Sequence, residues 1–234
     1  MNEIKRLRFL ANGEWHKSET DKYMDIWNPS TGEKIAEAPY CTEREVNMAI
    51  QSASDAFPAW SAIPALKRVQ IFYRFRELLE KNMDELTHMV CREQGKIIKE
   101  SYGEILKIRE CVEFACGIPS LMMGESLMNT STGYDTVFYR EPLGVFAGIP
   151  PFNFPGMIPM GWMAPLCIAT GNTIVIKASC ITPMTSFRCA ELWQEAGLPD
   201  GVMNIITCGN NEAELLLGHR DIRGISFVGS TAVG

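Results

Sequence analysis

Apolar positions recur at two different spacings along this chain, and the change from one to the other divides it. Behind Thr42 and Glu45, which together form a capping box, Val46, Ala49, Ile50, Ala53, Ala56 and Phe57 follow at the spacing of one helix face. The same spacing predicts helices over about Ala65 to Lys81, Met83 to Glu93 and Ile98 to Ala115, with Gly95 as a stop between the last two. Ahead of them, Phe9-Leu10-Ala11-Asn12-Gly13-Glu14-Trp15 and Ile26-Trp27-Asn28-Pro29-Ser30-Thr31-Gly32-Glu33 are apolar runs punctuated by turn residues, which predicts short strands.

Beyond Gly124 the spacing shortens. Ser126-Leu127-Met128 and Thr136 to Arg140 flank a polar turn from Asn129 to Gly133, the pattern of a hairpin arm. From Leu143 onward, apolar strands at Val145 to Ile149, Thr173 to Ile176, Val202 to Thr207 and Gly224 to Val228 alternate with helical stretches. That is a parallel βαβ series, so the expected class is α/β: a Rossmann-like parallel sheet with helices on both faces, an amino-terminal helical segment and a β-hairpin arm.

Pro142 to Ile176 carries no charge and is long enough for a membrane span. Pro150, Pro151, Pro155, Pro159 and Pro165, with Asn153 and Asn172, would leave polar groups unsatisfied in lipid. A buried strand, turn, helix and strand accounts for the same composition, because parallel strands are covered on both faces. No membrane partner is expected.

A formal net charge of -6, with acids and bases interspersed over 234 residues, leaves no basic footprint, and nucleic acid is not expected as a partner. Met1 to Phe9 lacks the apolar run of a secretion signal, so a cytoplasmic protein is expected. The eight cysteines form no Cys-x-x-Cys pair and read as reduced thiols. His16, His88 and His219 are scattered, and no cluster has metal-ligand spacing, so no metal is expected.

Candidate chemistry lies just after the predicted strands, since open parallel sheets bind ligands outside the carboxyl ends of their strands. The four segments are Pro150-Pro151-Phe152-Asn153-Phe154-Pro155, Lys177-Ala178-Ser179-Cys180, Thr207-Cys208-Gly209 and Gly229-Ser230-Thr231. In this order and spacing they resemble the aldehyde dehydrogenase superfamily, which shows a Pro-aromatic-Asn-Phe-Pro turn, a Lys-Pro-Ser-Glu turn and a Phe-x-Gly-Ser turn. Asn28-Pro29-Ser30-Thr31-Gly32-Glu33 resembles that family's amino-terminal Asn-Pro-x-Thr-Gly-Glu, so the resemblance covers essentially the whole chain. Phe152, Glu110-Cys111-Val112-Glu113-Phe114-Ala115 and Leu121 to Leu127 are similar to the CoA-acylating methylmalonate-semialdehyde dehydrogenase subgroup.

The resemblance implies an NAD-dependent oxidation of a small aldehyde to an acyl-CoA, with coenzyme A as co-substrate, a place in valine catabolism and a homo-oligomer. It implies that Asn153 helps hold the oxyanion, a task suited to a preorganised amide donor. Lys177 would donate to the adenosine ribose, and Pro151, Phe152, Ser179, Cys180, Ile181, Gly209, Gly229, Ser230 and Val233 would line the cofactor. Lys107 and Arg109, on a helix facing the substrate entrance in this subgroup, would attract the substrate carboxylate; an exposed helix charge is the plainer reading of each. On the same footing the chain divides into residues 1–123, the amino-terminal part of a cofactor-binding domain, 124–141, an oligomerisation hairpin, and 142–234, the Rossmann-like NAD-binding part.

Three departures stand out. Cys180 replaces the family's Glu, which removes a carboxylate from the ribose. The helix between Pro155 and Gly171 is one residue longer than the family pattern near Met160-Gly161, which a bulge absorbs or which rotates all that follows by about a hundred degrees. The family's catalytic cysteine and catalytic domain would lie beyond Gly234, and none of the eight thiols here has an activating context. Three readings follow: a chain active when a catalytic-domain chain completes it, a non-catalytic module that binds nucleotide or pairs with full-length subunits, and a truncated remnant.

Overall fold

A computed structural model describes residues 4–234. The elements are, in chain order, β1 (Lys5–Arg6), β2 (Phe9–Ala11), β3 (Glu14–His16), β4 (Tyr23–Asn28), β5 (Glu33–Pro39), α1 (Glu43–Ser61), α2 (Ala65–Lys81), α3 (Met83–Gln94) and α4 (Ile98–Ala115). They continue with α5 (Ile118–Leu121), β6 (Glu125–Ser131), β7 (Tyr134–Phe138), β8 (Val145–Ile149), a π-helical turn (Ile158–Met163), α6 (Ala164–Ala169) and β9 (Thr173–Lys177). The last are α7 (Met184–Glu195), β10 (Met203–Ile206), α8 (Asn210–Gly218) and β11 (Ile222–Phe227).

The central sheet has the order β11-β8-β9-β10-β2-β3. Its first four strands are parallel, and β2 and β3 add antiparallel to the β10 edge. The parallel strands are the four expected from the apolar runs. The short amino-terminal strands were expected as well, but not their place: Leu10 pairs with Ile205 across almost the full length of the chain. Strands β2 and β3 therefore share a sheet with the strands of residues 142–234.

Alternation decides the two faces. Ile174 and Ile176 point into one core with helices α2, α4, α6 and α7, while Val175, Val145, Ala147 and Ile206 pack on α1 from the other side. On α1 the apolar stripe Val46, Ala49, Ile50 and Ala53 is fully buried, and the capping box holds as read: Thr42 accepts from the Glu45 amide, and Glu45 accepts from the Thr42 amide at 2.7 Å. Gly95 closes α3 with φ +87°, and a Cβ there would sit 2.6 Å from Pro29, so both the conformation and the space call for glycine.

The extra residue near Gly161 is absorbed locally. Ile158–Met163 forms a π-helical turn, α6 continues from it, and β9 enters the sheet in register with β8. Gly161 permits the close approach, since a Cβ would lie 3.3 Å from the Ile108 Cα on α4. Beneath, Trp60 Nε1 donates to the Ile168 carbonyl at 3.0 Å and the buried Arg68 guanidinium to Ala169 at 3.0 Å, satisfying the end of α6. The hairpin β6–β7 stands apart, with every residue exposed. No helix among the described residues is long and apolar enough to cross a membrane.

Candidate nucleotide and oxyanion site

Strand order places the site. The chain runs outward from β8 through β9 to β10, then returns to place β11 on the other side of β8, so the order reverses at β8. Ligand crevices of open α/β sheets open at such a reversal, beyond the carboxyl ends of the strands. The loops after β8, β9, β10 and β11 all emerge there, and they carry the residues singled out from the sequence.

The loop after β8 is held by its backbone. Thr182 Oγ1 donates to the Phe152 carbonyl at 2.6 Å, Lys96 Nζ to the Asn153 carbonyl at 2.8 Å, and Ser186 Oγ to the Pro155 carbonyl. Glu104 Oε1 accepts from the Gly156 and Met157 amides at 2.8 and 3.1 Å, capping the helix that follows. Glu104 Oε2 meets Lys96 Nζ at 2.5 Å, and that ammonium lies 3.9 Å from the Phe154 ring centre. With the backbone fixed this way, the Asn153 side chain is exposed and its amide has no partner among the described residues. A rigid turn with a free amide donor is what an oxyanion acceptor site requires.

The loop after β9 begins with Lys177, half-buried, whose ammonium has no hydrogen-bond or ion-pair partner among the described residues. Ser179 is half-buried and accepts from the Ile181 amide at 3.2 Å; the Ile181 side chain is exposed. Cys180 turns inward: its thiol is buried and donates to the Cys208 carbonyl at 3.4 Å. Burial raises the Cys180 pKa, against the opposing charge of Lys177. Cys180 thus closes the floor of the crevice and does not restore the carboxylate.

After β11, Val228 donates to the Ile149 carbonyl at 3.2 Å, tying the two loops that flank the reversal. Gly229, Ser230 and Val233 are exposed beyond it, and Pro151 and Phe152 face out from the β8 loop. A Cβ on Gly229 would meet the Phe227 ring at 2.4 Å, and one on Gly209 would meet Glu212 Oε2 at 2.7 Å. Both glycines keep the crevice floor low, as close backbone approach by a dinucleotide demands. The residues present fit such a ligand.

Lys107 and Arg109 meet different neighbours. Lys107 borders a groove with Cys111, Phe114, Gly161, Trp162 and Leu166 and pairs with Glu110. Arg109 turns to α2 and bonds Glu80 at 2.6 Å, with Glu113 at 3.6 Å; the hydrogen bond to Glu80 is the main reason its pKa is raised. Of the two, Lys107 alone faces the groove beside the π-helical turn. Burial also raises the thiol pKa of Cys41, Cys167 and Cys189, and that of Cys208 to about 12, so none of these is poised as a nucleophile. No His/Cys/Asp/Glu group among the described residues could hold a metal ion.

Lys96, Glu104, Glu93 and Glu212 were not singled out from sequence. A signal existed for two of them: Glu93 and Glu104 fall on the buried faces of α3 and α4, in register with Leu86 and Val90 and with Ile105 and Ile108. Acids at apolar positions need partners, and here they find helix amino termini. Glu93 accepts from the Met184 and Thr185 amides at 2.7 and 2.8 Å at the start of α7.

The chain belongs to the aldehyde dehydrogenase family, whose sequence profile matches residues 15–234. It is 45% identical over 233 residues to malonate-semialdehyde dehydrogenase 2 of Geobacillus thermodenitrificans, covering 100% of this chain and 48% of that protein. The crystal structure of methylmalonate-semialdehyde dehydrogenase from Oceanimonas doudoroffii superposes with a TM-score of 0.95 at 40% identity, over 98% of this chain and 47% of that one. A Sinorhizobium meliloti protein crystallised with NAD matches with a TM-score of 0.95 at 38% identity, over 100% of this chain and 47% of its own. The chain spans about half the length of the relatives it matches.

Proposed function

We propose that this chain supplies the dinucleotide crevice and the oxyanion donor of an NAD-dependent, CoA-acylating malonate- or methylmalonate-semialdehyde dehydrogenase. The observation that carries the reading is the convergence of four strand-end loops at the reversal of strand order, with a Lys177 ammonium and an Asn153 amide that have no partner among the described residues. Lys177 holds the adenosine ribose, Phe152, Pro151, Ser179 and Ile181 border the dinucleotide, and Gly209, Gly229, Ser230 and Val233 let it lie close to the backbone. When bound, NAD accepts a hydride from the substrate. Asn153 donates to the oxygen on which negative charge develops as the aldehyde carbonyl is attacked, and its fixed turn means no reorganisation is needed at that moment. None of the eight thiols in these 234 residues is assigned the attack, which this reading gives to a cysteine outside them.

Lys107, in the groove with Trp162 and Phe114, attracts the carboxylate of the semialdehyde. The exposed β6–β7 hairpin serves assembly with homologous subunits. Eight unpaired thiols fit a reducing compartment, and we place the protein in the cytoplasm. Calorimetric titration of the purified chain with NAD tests the reading. Saturable binding weakened about tenfold or more by Lys177→Ala is expected, and a folded chain that takes up no NAD would contradict it.

A further inference from the structure

The acid missing at position 180 has a counterpart one strand away. Lys177, at the end of β9, is paired in register with Ile206 of β10, and the Ala178 amide donates to the Ile206 carbonyl at 2.8 Å. The two chains then diverge into Cys180 and Cys208, joined by the thiol-to-carbonyl hydrogen bond at 3.4 Å. Glu212 lies in the first turn of α8, just after Cys208 and Gly209, with its Oε2 2.7 Å from where a Gly209 Cβ would stand. It is half-buried, and its carboxylate has no hydrogen-bond or ion-pair partner among the described residues. Tyr40 closes the same corner, its ring 3.7 Å from where a Gly209 Cβ would stand.

Both charges are felt at the Cys208 thiol. Burial dominates there; after it Lys177 lowers the pKa, and Cys180 and Glu212 raise it. Lys177 and Glu212 are each half-buried and have no ion-pair partner among the described residues.

A ribose 2′,3′-diol needs one donor and one acceptor, and a carboxylate is the acceptor that also rejects a 2′-phosphate. We propose that Glu212 is that acceptor, and that with Lys177 it grips the adenosine ribose and selects NAD over NADP. The proposal rests on the dinucleotide reading above and adds the residue that sets cofactor preference. The Cys180 thiol beneath serves only as the floor.

The test is calorimetric titration of the 234-residue chain and its Glu212→Gln and Glu212→Lys variants with NAD and with NADP, each protein checked for folding by circular dichroism. The wild-type chain should prefer NAD by tenfold or more. Glu212→Gln should lose about tenfold in NAD affinity and most of the preference, and Glu212→Lys should invert it toward NADP. If Glu212 merely favours the α8 amino terminus through the helix dipole, both variants shift the melting temperature and leave the NAD to NADP ratio unchanged, which overturns the proposal alone. A folded wild-type chain that binds neither nucleotide overturns the dinucleotide reading and the proposal with it.

Discussion

Lys96 and Glu104 meet at 2.5 Å beneath the Asn153 turn, and between them they hold both of its ends: Lys96 the Asn153 carbonyl, Glu104 the Gly156 and Met157 amides. The pair is almost wholly removed from water, with side-chain exposures of 11% and 1%. Replacing one partner strands the other charge, and replacing Glu104 also strands the Gly156 and Met157 amides. Glu104→Ala is expected to cost about 3 to 5 kcal/mol in urea unfolding. A loss below about 1 kcal/mol would mean the pair does not hold the turn.

Asn153 itself should behave oppositely. Its side chain is exposed and has no partner among the described residues, so Asn153→Ala should leave stability within about 0.5 kcal/mol and NAD binding unchanged. When the chain is fused to the carboxyl-terminal half of the Geobacillus relative, the same variant should lower aldehyde-dependent NADH formation about 10²- to 10³-fold in kcat. Equal kcat in the two fusions would remove Asn153 from the chemistry.

Burial pushes the Glu93 carboxyl up to about 7, although its hydrogen bonds from Thr185 and Met184 favour the charged form. In the unfolded chain the group returns to an ordinary value near 4.5. Between those values the folded state binds the extra proton, so this contribution is full below about pH 4.5 and is lost as pH rises through about 7. The melting temperature of the wild type relative to Glu93→Gln should therefore fall from pH 5 to pH 8. Parallel curves over that range would show that Glu93 stays ionised throughout.

Thr42→Ala removes one half of the α1 capping box and should cost about 1 kcal/mol. Glu45→Ala should cost more, because Glu45 also accepts from Ser18 Oγ at 2.7 Å and from the Glu19 amide at 2.7 Å. Chemical unfolding of the two variants checks the order, and a reversed order would contradict this account of the α1 start.

The parts of the fold that were legible in sequence were those written in local periodicity. The four long helices, the capping box, the hairpin and the four parallel strands follow from apolar spacing and turn residues near one another in the chain. The addition of β2 to β10 does not, because Leu10 and Ile205 are neighbours only after the whole domain has closed. The site divides the same way. Asn153 and Lys177 carry recognisable neighbours, whereas Glu212 sits on an ordinary helix start and gains meaning only from its place over Gly209, after β10. The fate of the extra residue near Gly161 depended on whether α4 left room for a wider turn, and Ile108 and Cys111 leave it because residue 161 is glycine. Arg109 shows the limit from the other side: the resemblance grouped it with Lys107, but two residues at about one hundred degrees each turn it away from Lys107 and toward Glu80.

The central claim is that the strand-end loops form one nucleotide crevice, and amide NMR of the isotope-labelled chain titrated with NAD tests it most directly. The account predicts saturable shifts confined to residues 151–154, 177–182, 207–212 and 228–233. Shifts absent from these four segments, or centred on another face of the folded chain, would contradict it.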